Sequence, residues 1–209
     1  MTFQELCEEV TLRLKSSDSR VLSKVEDFVN SAIGQIALEV RLPDLRSFTN
    51  VTTILSQCWV NLPSDFLGKL LYVGTTLGKV NIEDKFDKFL TKYPDMTITG
   101  DIVDVSLLGS IMYYLPIPSV ATTVLVLFYK SPAVLTLSND IPTCIPELLH
   151  RQTIVPLAAS FGWDIIESGD NNEKPNTNGC LTEYLNGKSL LEAWVIRRDG
   201  SSGNSIWDV

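Results

Sequence analysis

Residues 138–168 read SNDIPTCIPELLHRQTIVPLAASFGWDIIES, and the architecture of the whole chain turns on this stretch. It opens extended, through Asp140-Ile141-Pro142 and Thr143-Cys144-Ile145-Pro146, because the residue before a proline is pushed out of the helical region. Pro146 suits the first turn of a helix, where its missing N–H costs nothing. From there Leu148, Gln152, Val155, Ala159, Gly162, Trp163 and Ile166 recur at helical spacing, with Leu149 and Ala158 widening the stripe. About twenty residues predict a rod of about 30 Å. Pro156 falls in its middle and predicts a bend. Ala158, Ala159, Ser160 and Gly162 are small enough for a second helix to come close. This is the expected central helix.

Working outward, helices flank it on both sides. Thr2-Phe3-Gln4-Glu5 has the form of a capping box, and Phe3, Leu6, Cys7, Val10 and Leu14 line one face of a short first helix. Ser16-Ser17-Asp18-Ser19 breaks it and supplies a new cap. A second helix is predicted from about Arg20 to Val40, with Val21, Val25, Phe28, Val29, Ala32, Ile33, Ile36, Ala37 and Val40 inward, ended by Arg41-Leu42-Pro43-Asp44. Beyond the central helix, the polar run Gly169–Gly179 is predicted to be mobile. A last helix is expected from about Cys180 to Arg197, with Asn186-Gly187 marking a candidate break.

Between Asn50 and Lys130 the period changes. Val51–Leu55, Gln57–Leu62, Lys69–Val73, Met96–Thr99, Ile102–Leu107, Ile111–Leu115 and Thr122–Lys130 are short strand patterns separated by turns, with one short helix between Ile82 and Tyr93. Val124–Tyr129 is apolar throughout and is expected to be the central strand. The expected fold is therefore α+β. The N- and C-terminal helices (1–48 and 138–198) form a helical bundle, 49–137 is an inserted antiparallel β lobe, and 199–209 is a flexible C-terminal tail.

Composition narrows the function. Of 209 residues 44% are hydrophobic, which marks a packing sequence, and the net charge of −8 argues against a protein that clamps nucleic acid through its phosphates. A surface past which DNA slides without sticking remains compatible. The opening Met1-Thr2-Phe3-Gln4-Glu5 leads straight into an amphipathic pattern, not an export signal, and no apolar run has membrane-spanning length. Cys7, Cys58, Cys144 and Cys180 are far apart and match no metal-ligand spacing; buried free thiols in a reducing compartment are the expectation.

Few groups converge for chemistry. His150 is the single histidine and reads as structural, although a Cys144–His150 dyad can be drawn. No phosphate loop or nucleophile elbow occurs, and Glu8-Glu9, Glu26-Asp27 and Glu83-Asp84 read as solvated helix faces. No catalytic, cofactor-binding or metal-binding residues are assigned. Ile206-Trp207 is different: it sits at the end of the Gly/Ser-rich run that starts at Asp199. Two readings stand, a disordered terminus or an aromatic anchor that docks into a partner.

Several motifs then fall in a telling order. The N-terminal helix pair ends near Arg41-Leu42-Pro43-Asp44-Leu45, followed by Trp59-Val60-Asn61-Leu62-Pro63-Ser64-Asp65-Phe66. Tyr113-Tyr114-Leu115-Pro116-Ile117-Pro118, Phe128-Tyr129-Lys130-Ser131-Pro132-Ala133-Val134-Leu135, and Asp140-Ile141-Pro142 with Ile145-Pro146-Glu147 come next, before the helix with Ala158-Ala159. This layout resembles tailed-bacteriophage head-to-tail adaptor proteins over nearly the full length; Pro156 and the loop 169–179 are departures from it. The resemblance implies a non-enzymatic virion protein of the neck, between capsid and tail, assembled in the host cytoplasm. It would form a homo-oligomeric ring, twelve copies by that likeness, that binds the portal protein and meets the tail or next neck protein. Double-stranded DNA would pass through the lumen without specific binding, with no membrane and no cofactor involved. In such adaptors the C-terminal segment commonly reaches into the portal, which gives Ile206, Trp207 and Val209 a portal-docking role. The alternatives are another tail completion, neck or baseplate protein, or an unrelated enzyme or small-molecule binder.

Overall fold

The structure is a computed structural model that describes residues 1–16, 18–169 and 174–198; the expected tail 199–209, with Ile206, Trp207 and Val209, lies outside the described residues. The fold is α+β, with N- and C-terminal helices and a β region inserted between them in sequence. The chain divides into two units, Met1–Leu45 with Pro132–Val209, and Arg46–Ser131.

In the helical unit, α1 (Phe3–Leu14) starts at the capping box. The Thr2 hydroxyl accepts the Glu5 N–H at 3.3 Å, and the Glu5 carboxylate accepts the Thr2 N–H at 2.9 Å. Phe3, Leu6, Val10 and Leu14 are buried, each contributing on the order of 2 kcal/mol of burial. The expected second helix is two: α2 (Ser19–Leu22), capped by Asp18, and α3 (Val25–Glu39). The break at Ser23-Lys24 is invisible to the pattern because Val21 and Val25 stay in register and both are buried. There the Lys24 N–H bonds the carbonyl of Val21, three residues back, and tightens the turn.

The central helix α5 (His150–Ile166) has 17 residues and is shorter than expected, because Glu147–Leu149 forms a 3-10 turn before it. That turn leaves Leu148 90% exposed, so it is not part of the inward stripe; Gln152 is exposed as well. From Thr153 to Ser160 the helix is buried all round, with α1, α2, α3 and α6 (Pro175–Arg198) packed on it. The buried hydroxyls turn back onto their own helix, Thr153 to the Leu149 carbonyl and Ser160 to the Leu157 carbonyl, each at 2.7 Å.

Helix α6 departs from expectation at both points that the sequence left weak. It begins at Pro175, not near Cys180, because Glu167 reaches across to its first turn. The carboxylate accepts the N–H of Asn176 (3.0 Å) and of Thr177 (3.1 Å), the Asn176 amide (2.8 Å) and the Thr177 hydroxyl (2.7 Å). Nor does the helix break at Asn186-Gly187. A methyl group built on Gly187 would lie 1.9 Å from the Gln152 carbonyl oxygen, so the glycine is there to let α6 lie against the backbone of α5. That carbonyl is the one four residues before Pro156, whose ring has no N–H to offer it. Gly162 does the same for α1: its added methyl would meet Leu14 at 2.6 Å. Tyr184 and Lys188 on α6 both donate to Glu39 on α3, at 2.6 and 2.8 Å.

The β unit holds two four-stranded sheets. One has the order β1 (Arg46–Thr52), β8 (Thr123–Lys130), β3 (Phe66–Thr75), β4 (Gly78–Lys79). The other has β2 (Trp59–Asn61), β7 (Ile111–Leu115), β6 (Asp104–Leu108), β5 (Asn81–Glu83). Strand β8 is interior, with Val124, Val126 and Phe128 buried; Leu125 on its other face is 40% exposed, so it is not apolar-packed on both faces. All pairings are antiparallel except β5 with β6, which is parallel and takes Ile82 out of the expected helix. The helix there is α4 (Phe86–Lys92). Met96–Thr99 is not a strand and makes a single bridge, Thr99 to Ile117. Asp104 is buried at the start of β6 and accepts from Asn81 (2.7 Å), Lys92 (2.7 and 2.8 Å) and Tyr93. Burial alone would raise this carboxyl; those donors outweigh it and hold it below its ordinary range.

Candidate functional site

The residues with catalytic potential are placed without the geometry of a reaction centre. His150 is fully buried; its Nε2–H donates to the Ile145 carbonyl at 2.9 Å, and Nδ1 faces the Met1 amine at 3.3 Å. Burial is the main influence holding this imidazole below its ordinary pKa. Cys144 is buried too, and burial pushes its thiol up to about 11, so no thiolate stands ready. Both imidazole nitrogens are thus engaged outside a Cys144–His150 dyad. Among the described residues no group of three or more His, Cys, Asp or Glu could hold a metal ion. No helix among them is long and apolar enough to cross a membrane.

The features that stand out are surfaces. In the helical unit a groove of about 510 Å³ runs along α1. It is built by the docking of that helix onto the segment before α5, where the N–H of Phe3 bonds the Asp140 carbonyl (2.7 Å) and the N–H of Gln4 bonds the Ser138 carbonyl (3.1 Å). The segment is pinned to α3 by Asn30, whose side chain pairs with both backbone groups of Leu135 at 3.1 and 2.9 Å. Phe3 and Cys7 line the groove with Leu12, and Glu8 and Glu26 make it acidic. Burial, then Glu26 and Glu8, push the Cys7 thiol up to about 11, as a negative potential should. Sequence reading took Glu8 and Glu26 for plain solvated faces. The available signal was Leu12, an apolar residue off the buried stripe of α1 and 70% exposed.

In the β unit the hairpin between β3 and β4 carries an apolar tip. Gly74 pairs with Lys79 and Thr75 with Gly78, which leaves Thr76-Leu77 as a two-residue turn. The Thr75 hydroxyl accepts the Leu77 N–H at 3.2 Å and stiffens it. Turns of this kind favour Gly, Asn and Asp, yet Leu77 stands there 73% exposed.

Also in the helical unit, Arg198 forms a bidentate pair with Asp44 at 2.5 and 2.7 Å, and its guanidinium lies 5.0 Å from the Trp194 ring centre. The last described residue is therefore fixed to the bundle, at the point from which the segment with Ile206, Trp207 and Val209 continues.

A scan of protein families matches the family described as SU10 adaptor protein over residues 1–171, which takes in α1 through α5 and the whole β unit. No curated protein matches the chain. With helices at both ends, a β region set between them and a family match over most of its length, the chain belongs to the SU10 adaptor protein family, a family of phage head-to-tail adaptors.

Proposed function

We propose that the protein assembles as a ring beneath the portal, extends the channel through which double-stranded DNA passes, and presents its far side to the tail or the next neck protein. The family match over residues 1–171 carries this reading. The net charge of −8 supports it: a wall richer in carboxylates than in cations repels phosphates at short range and keeps the DNA sliding. Twelve copies follow from the likeness to other head-to-tail adaptors, and subunits would join the neck in the host cytoplasm. Portal docking falls to the C-terminal segment, where Ile206, Trp207 and Val209 supply apolar anchors. A ring presents many such anchors at once, so each needs only modest affinity.

Titrating purified protein onto portal rings from its own phage tests the reading, with stoichiometry read by mass measurement and shape by electron microscopy. A saturating complex with a second ring coaxial with the portal is expected. Absence of a complex, or only one or two copies per portal ring, would overturn it.

A further inference from the structure

Gly162 and Gly187 of the helical unit are already used inside the subunit, Gly162 against Leu14 and Gly187 against Gln152. Contacts between copies therefore fall on outer helix faces and on the β unit. Two features there complement each other. We propose that the β3–β4 hairpin tip of one copy seats in the α1 groove of its neighbour, with Leu77 against Leu12 and Phe3 and with Lys79 between Glu8 and Glu26. The inference rests on the ring reading above and names the surfaces that close it.

Three observations carry it. The tip carries Leu77, 73% exposed, on a two-residue turn where turn chemistry favours Gly, Asn and Asp, and so offers an apolar side chain to a partner surface. The groove is acidic and has room for a few side chains, while Lys79 beside the tip is exposed and has no ion pair among the described residues. Glu8 and Glu26 also lack ion pairs among the described residues; Glu8 is bonded to Gln4 at 2.9 Å. A basic, apolar knob in one unit and an acidic, apolar groove in the other are different surfaces, so their contact between copies is heterologous, the kind that closes into a ring when the rotation permits. The charges set register and partner choice, while Leu77 supplies the buried anchor.

The test uses full-length protein in two isotopic forms, mixed and then assembled on portal rings or at high protein concentration. Treatment with a carbodiimide joins a lysine amine to a carboxylate in contact with it, forming an amide; the carboxyl oxygen leaves on the carbodiimide, which becomes a urea. Cross-linked peptides joining Lys79 to Glu8 or Glu26 are expected to carry mixed isotopes. Lys79→Glu and Glu8→Lys should each weaken ring formation by at least about tenfold, and together restore it to within about threefold of the parent. Leu77→Ala should weaken it without any change in charge. All three substituted positions are exposed, and circular dichroism confirms that the variants fold. Rings that form normally in Lys79→Glu and Glu8→Lys, a double variant no better than the singles, or Lys79 links found only within one isotope, would overturn this interface and leave the ring reading intact. If the parent protein forms no ring under either condition, the ring reading falls and this inference falls with it.

Discussion

Replacing Gly187 by alanine puts a methyl carbon 1.9 Å from the Gln152 oxygen and 2.6 Å from its carbonyl carbon. Both are backbone atoms, so no rotamer change relieves the clash. Ordinary contact between such atoms needs about 3.4 Å or more, so α6 must retreat from α5 by about 1.5 Å. Retreat loosens Tyr184, Leu191 and Val195, buried side chains worth about 2 kcal/mol each when fully packed. Overpacking of this kind costs about 1–3 kcal/mol or more, while alanine returns up to about 1 kcal/mol of helix propensity. The net expectation is a loss of about 2–4 kcal/mol, read as a shift of the urea midpoint of the helical unit. Gly34 in α3 and Gly179 in α6 are internal controls, since nothing lies within 4 Å of a methyl group at either. The same substitution there should stabilise by about 0.5–1 kcal/mol. A Gly187→Ala variant as stable as the Gly34→Ala one would refute the close approach of α5 and α6.

Other perturbations probe the remaining elements. Glu167 has its carboxyl lowered from 4.5 to about 2: burial raises it, and the Thr177 and Asn176 donors more than reverse that. Because the folded pKa is depressed, its contribution is present above pH 4.5 and is lost as the pH falls from there toward 2; Glu167→Gln should flatten that part of a stability-versus-pH curve, and an unchanged acid limb would argue against the cap. Asp104→Ala strips Asn81, Lys92 and Tyr93 of their shared acceptor and should cost the β unit about 2 kcal/mol in urea denaturation, with a neutral result counting against the buried network. Deleting residues 201–209 should leave the circular dichroism spectrum unchanged but weaken portal binding, and Trp207→Ala should reproduce much of that loss, on the order of 2 kcal/mol; equal binding by all three proteins would move the portal contact onto the helices. Rising salt should screen repulsion between the lumen wall and DNA, so any weak retention of DNA should grow with salt and fall as salt is removed; retention that grows as salt is removed would instead mark a basic wall.

What the sequence by itself determined was whatever is settled within a turn or two of backbone. The Thr2–Glu5 capping box formed because both partners lie three residues apart, and α1 and α3 bury the stripes that their apolar period marks. Strand β8 is interior to its sheet, as its apolar run marks, and buries Val124, Val126 and Phe128 on one face. The order of motifs, read as a likeness, likewise pointed to the adaptor family. The tertiary structure decided the points where a residue answers to a distant partner. Pro175 and its neighbours read as a loop because the carboxylate that caps them, Glu167, belongs to the end of the preceding helix. Gly187 read as a weak point because its reason lies on another helix, at the carbonyl that Pro156 cannot engage. Ile82 left the helical pattern because strand pairing with Val105 outcompetes a short helix that has no side-chain cap. The acidic groove on α1 exists only because a chain segment more than a hundred residues away docks beside Phe3 and Gln4, through backbone bonds that no side-chain pattern records.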